Sequence, residues 1–117
     1  MSLWGWKEIW VSIGFYLMTE KGLKVLESVI HTLGSDEIEY VVGAADDSVA
    51  SDSRDEISAL CRQYDIAYFD RKDAFQPTAE YHFAVSWRWM IHGAAGLIVL
   101  HDSLLPKYRG FAPLQPR

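Results

Sequence analysis

Gly96-Leu97-Ile98-Val99-Leu100, followed without a break by His101-Asp102-Ser103-Leu104-Leu105-Pro106-Lys107-Tyr108-Arg109-Gly110, is the stretch that decides the fold. A short aliphatic run of this kind reads as a strand with its side chains buried in a sheet core. Its carboxyl end then delivers a histidine and an acid onto a loop stiffened by Pro106 and ended by Gly110. In open α/β sheets ligands bind outside the carboxyl ends of the strands, so chemistry is expected on this loop.

Working outward from that strand, residues 80–86 (Glu-Tyr-His-Phe-Ala-Val-Ser) read as the strand before it, running into Trp87-Arg88-Trp89-Met90-Ile91. Residues 66–69 (Ile-Ala-Tyr-Phe) form a short strand after Asp65. Ser53-x-x-Glu56 is a capping box opening a helix, with Ile57, Leu60 and Cys61 on its inner face. Residues 38–45 (Ile-Glu-Tyr-Val-Val-Gly-Ala-Ala) are a strand leading to Asp46-Asp47. In a Ser/Asp-rich loop these acids read as turn and cap residues rather than a metal or ribose site. Thr19 caps a helix running to about Leu33. Leu23, Leu26, Ile30 and Leu33 form its stripe, Val25 and Val29 widen it, and Gly34 supplies the stop. Within it, His31 reads as a surface or packing residue. Residues 9–16 (Ile-Trp-Val-Ser-Ile-Gly-Phe-Tyr) are the first strand, and Trp4, Trp6 and Trp10 read as packing on one face of an extended segment. Strands alternating with helical stretches predict an α/β, Rossmann-like, doubly wound and mostly parallel sheet flanked by helices.

Length and composition narrow the function. The 117 residues make one small domain at most, with no repeat or linker dividing residues 1–117. A formal charge of −5 gives no basic footprint, which argues against this segment gripping nucleic acid by itself. The single cysteine, Cys61, falls in a helical pattern and reads as a small buried thiol. No apolar run reaches membrane-spanning length and no signal peptide is indicated, so a cytoplasmic protein is expected. The chain stops at Arg117, a few residues past the loop with no following helix, and a domain incomplete at its C-terminus is expected.

The ten residues from His101 to Gly110 resemble the His-x-Ser-Leu-Leu-Pro-x-x-x-Gly segment of the folate-dependent formyltransferases. That family includes methionyl-tRNA formyltransferase, glycinamide ribonucleotide transformylase and the sugar N-formyltransferases. The resemblance is specific over residues 80–113 and only architectural before that. It implies transfer of a formyl group from 10-formyltetrahydrofolate to a primary amine, with His101 polarising the formyl oxygen and assisting proton movement. Histidine suits both tasks, because acyl transfer needs charge stabilisation and a group that takes a proton near neutral pH. The resemblance also implies an apolar slot for the pterin ring at Trp87, Arg88, Trp89 and Met90. Ser103, Leu104, Leu105 and Pro106 shape the donor side of the site, and Lys107 and Arg109 are expected to meet an anionic acceptor.

Two positions depart from the family pattern. Val99 stands where the family carries an Asn whose amide donates to the formyl oxygen, and Asp102 is not the family's catalytic aspartate, which falls beyond this chain. Such a donor is worth on the order of 3 kcal/mol. The loop around Gly14 has a single glycine among bulky residues, so neither a phosphate-binding turn nor a GxGxxG dinucleotide site is present. An amino sugar on a nucleotide is therefore the first expected acceptor and methionyl-tRNA the second; hydrolysis of formyltetrahydrofolate is third. No metal site is predicted. The alternative is a non-catalytic remnant acting as a binding or dimerisation module, since truncation would expose a sheet edge and favour a homodimer.

Overall fold

The computed structural model describes residues 12–100. Within them the chain runs β1 (Ile13–Leu17), α1 (Thr19–Leu33), β2 (Ile38–Gly43), α2 (Arg54–Gln63), β3 (Ala67–Asp70), β4 (Tyr81–Val85) and β5 (Leu97–Leu100). All pairings are parallel and the strand order is β3-β2-β1-β4-β5. This is a Rossmann-like α/β sheet. Its order reverses at β1, since β2 and β3 build outward on one side and β4 and β5 on the other.

The helices both lie on one face. Phe15 and Leu17 of β1, Val41 of β2 and Val85 of β4 pack there against Leu26 and Ile30 of α1 and Ile57 and Cys61 of α2. Leu26, Ile57 and Cys61 are fully buried, whereas Leu33 at the end of the expected stripe is exposed. Burial pushes the Cys61 thiol up to about 12, which keeps it protonated. Among the described residues no helix covers the opposite face. Segments 71–80 and 86–96, the connections into β4 and β5, cover it instead with Phe75, Ala79, Trp87, Ile91 and Ala94.

Three expectations are corrected. Ser53 does not cap α2 through its side chain; it sits in the left-handed region at φ 54. Asp52 takes the capping role, its carboxylate accepting the backbone N–H of Arg54 at 3.0 Å and of Asp46 at 2.9 Å. These two bonds hold the Asp52 carboxyl below its ordinary value. Thr19 is likewise not the cap of α1. Met18 is, in extended backbone, while Thr19 is left-handed at φ 67 and donates its N–H to the Asp52 carbonyl at 2.8 Å. Finally, the side chains of β5 are exposed rather than buried, Ile98 at 46% and Val99 at 40%. The reason is topological: among the described residues β5 is the edge strand, with β4 as its one neighbour. Gly34 does end α1 as expected, at φ 85 with its N–H bonded to Ile30 O at 2.9 Å. Residues 9–11 of the first expected strand, and Trp4, Trp6 and Trp10, lie outside the described residues.

No described helix is long and apolar enough to cross a membrane.

Candidate functional site

The carboxyl ends of the strands carry the polar and aromatic machinery. Beyond β4 the chain turns through Ser86, left-handed at φ 57, and lays Trp87 and Trp89 over the loop face. Trp87 meets Tyr16 edge-on at 5.4 Å between ring centroids and Trp89 at 5.2 Å. Such tilted pairs favour the ring quadrupoles. Beyond β3, Arg71 donates its N–H to Gly43 O at 2.8 Å, and its guanidinium stacks 4.3 Å over the Trp89 ring. Between these two segments lies an open cleft of about 340 Å³. Tyr16 and Val42 form its floor, Phe75 one wall and Trp87 and Trp89 the other, with Arg71, Asp73 and His92 as polar neighbours. A ring-lined cleft with polar groups set among the rings can take a flat heteroaromatic ligand bearing a charge.

Trp87, Trp89 and Met90 therefore meet at one cleft, with Met90 at its rim, 79% exposed. Arg88 does not line it. Its Nη1 donates to Asp46 Oδ2 at 2.6 Å and to Ser48 Oγ at 2.5 Å, so it spans from the turn after β4 to the loop after β2. Asp46 also accepts the Ser48 hydroxyl at 2.7 Å and the Ser48 N–H at 2.9 Å. Those bonds, with Arg88 beside them, hold the Asp46 carboxyl down to about 2. Asp46 is thus a turn residue and an ion-pair partner. No cluster of three metal-ligating side chains occurs among the described residues. His101, Ser103, Leu104, Leu105, Pro106, Lys107 and Arg109 lie outside the described residues.

Sequence reasoning missed the buried centre of this face. His82 is fully buried in β4, and its Nε2 lies 2.5 Å from the Tyr40 hydroxyl, across β1. What lets them meet is Gly14, which is in register with Tyr40 on one side and His82 on the other. A Cβ on Gly14 would lie 2.7 Å from His82 Cδ2 and closer still to the Tyr40 ring. An irregularity between the Ile13–Ile38 and Gly14–Tyr40 pairs skips Glu39 and swings Tyr40 onto the loop face. The sequence signal was a glycine inside a strand, which often marks a close approach.

Compared with protein-family models, curated proteins and solved structures, the chain matches none.

Proposed function

We propose that this chain carries out folate-dependent formyl transfer, moving the formyl group of 10-formyltetrahydrofolate to a primary amine. One observation carries the reading: an aromatic cleft opens directly after β4, and the His101–Gly110 signature follows directly on β5, the neighbour of β4. Val85 and Leu100, the last residues of the two strands, are partners in register. Leu100, the residue before the signature in sequence, thus pairs with Val85, two residues before Trp87.

In this reading Trp87, Trp89 and Phe75 hold the flat pterin, and Arg71 meets an anionic part of the donor. The amine nitrogen bonds to the formyl carbon, the carbon's bond to the folate nitrogen breaks, and the amine proton ends on that nitrogen. His101 stabilises negative charge on the formyl oxygen and relays the proton. Val99 offers no donor there, so the reaction is slower than with an amide at that position. Lys107 and Arg109 favour an anionic acceptor, a nucleotide-linked amino sugar ahead of methionyl-tRNA. The location implied is cytoplasmic.

Calorimetric titration with folinate, a stable formyl folate, tests the proposal. The wild-type chain binds, Trp87→Ala weakens binding roughly tenfold, and His101→Ala weakens it as well. A folded chain with no affinity for folinate overturns the reading. Val99 and the exposed apolar side chains of β5 favour a second reading, a non-catalytic module that binds folate or pairs with another chain. Folate binding without amine-dependent release of tetrahydrofolate would select it.

A further inference from the structure

We infer that Tyr40 and His82 are a positioning pair that sets both walls of the aromatic cleft through a one-way hydrogen-bond relay. The relay begins at the first wall segment, 71–80, where the Ala79 N–H donates to the Tyr40 hydroxyl oxygen at 3.2 Å. It ends at the second, 86–96, where the Ala95 carbonyl lies 2.7 Å from His82 Nδ1. A carbonyl only accepts, so Nδ1 carries a proton. With the ring neutral, Nε2 is then an acceptor and the Tyr40 O–H donates to it. Every group is satisfied in that arrangement. A ring protonated on both nitrogens would leave the Tyr40 proton without an acceptor. Burial pushes the Tyr40 hydroxyl above its ordinary value, in keeping with a hydroxyl that stays protonated.

The pair also touches the cleft lining directly. Tyr40 packs edge-on against Phe75 at 5.4 Å, and His82 lies 6.1 Å from the Tyr16 ring. A second tie reinforces the first wall, because the Thr78 hydroxyl donates to the Glu39 carboxylate. Neither wall contains a described helix, so few regular backbone bonds hold it. The relay supplies that order from beneath. It concerns the cleft itself, whatever occupies it, and so goes beyond the proposed reaction.

The test uses the full chain with ¹⁵N-labelled histidine and amide hydrogen exchange read by segment. In the wild type, His82 is the Nδ1–H tautomer. Tyr40→Phe keeps the ring but removes the hydroxyl, and the Ala95 carbonyl still holds the proton on Nδ1, so the tautomer stays Nδ1–H. Exchange in 71–80, where the Ala79 N–H has lost its acceptor, then rises roughly tenfold relative to the amides of α1 and α2, and 86–96 rises less because the Ala95 bond remains. An Nε2–H tautomer in the wild type overturns the relay. So does a Tyr40→Phe chain whose walls and helices loosen by the same factor, the behaviour of a merely stabilising contact. If Tyr40→Phe does not fold, His82→Asn is read instead: its amide NH2 keeps a donor for Ala95 O, while its Oδ1 falls short of the position of Nε2, so Tyr40 loses its acceptor. Exchange in 71–80 must then rise ahead of the helices while 86–96 holds, and uniform loosening again overturns the inference. Because neither readout involves folate, a failure to bind folinate counts against the formyl-transfer reading alone.

Discussion

On the helix face of the sheet, Leu17, Leu26, Val41, Ile57 and Cys61 are buried against one another with no hydrogen-bonding demand beyond a thiol. On the loop face, Tyr16, Tyr40, His82, Phe75 and Trp87 form a run of rings with a buried imidazole at its centre. The first kind of contact is non-directional and tolerates exchange of one aliphatic group for another. The second depends on angles and on donors meeting acceptors, so a small displacement leaves a buried polar group unpaired. The sheet thus keeps its aliphatic core on one side and its ring-lined cleft on the other. Lesions on the two sides should behave differently.

The largest effect is expected on the helix face. Leu26→Ala removes a fully buried side chain and leaves a cavity, costing about 3 kcal/mol. Because the loss is global, Cys61 reports it. Its protonated, buried thiol reacts with a disulfide reagent only when the core opens, since the thiolate is the nucleophile. Labelling of Cys61 in Leu26→Ala should accelerate roughly a hundredfold, the factor that corresponds to that free energy. Exchange in the cleft walls should rise by the same factor. Unequal factors would mean the two faces open independently, which would sharpen the contrast.

Gly14→Ala attacks the loop face and comes next, at about 2 kcal/mol. The new methyl group drives between two rings that a hydrogen bond holds in place, and neither is a flexible chain end. Urea unfolding measures the cost, and exchange at the Ala79 amide locates it. The expected pattern is loss of protection at Ala79 beyond what Cys61 labelling reports. Equal losses at both sites would erase the distinction between the faces. Gly22→Ala is the matched control on α1, where the added Cβ would sit 3.0 Å from Leu17 Cβ. That contact should cost less, because it needs a shift of a few tenths of an ångström and breaks no polar pair.

The same contrast explains what the sequence disclosed. The helix face was legible because apolar contacts write themselves as periodicity: Leu23, Leu26 and Ile30 at helical spacing, Ile57 and Cys61 four apart, and strands rich in branched residues. The parallel α/β class follows from those alone. The loop face was legible only in part. Trp87, Trp89 and Met90 converge on a cleft where the family resemblance had implied a slot, but Arg71 and Phe75 reach it from a segment with no periodic pattern. Tyr40 and His82 are 42 residues apart, and their meeting depends on register across β1 and on a skipped Glu39. Side-chain alternation from Ile38 would have put Tyr40 on the helix face. The capping box failed for a similar reason: Asp52, one residue earlier, satisfies two amides at once, and no local rule weighs that against Ser53.

The smallest effect lies where the two faces meet at the carboxyl edge, in the Arg88–Asp46 pair that reaches from the loop side to the connection entering α2. The Asp46 carboxyl titrates near 2 against an ordinary 3.8, with the Ser48 hydroxyl and N–H as the leading causes and Arg88 behind them. A depressed folded value stabilises the fold above the ordinary carboxylate range, and that contribution fades as pH falls from about 3.8 toward 2. The Arg88 end of the pair is exposed and screened, so the effect on stability should be slight. The titration itself is the sharper measurement. In Arg88→Ala, carboxyl ¹³C shifts should show the Asp46 midpoint rising yet staying below 3.8, because both Ser48 bonds remain. Ser48→Ala, which removes the leading cause, should raise it as well. If Arg88→Ala instead restores the ordinary value outright, the guanidinium and not the Ser48 turn sets the charge of this edge. The link between the two faces would then be electrostatic rather than a property of the turn.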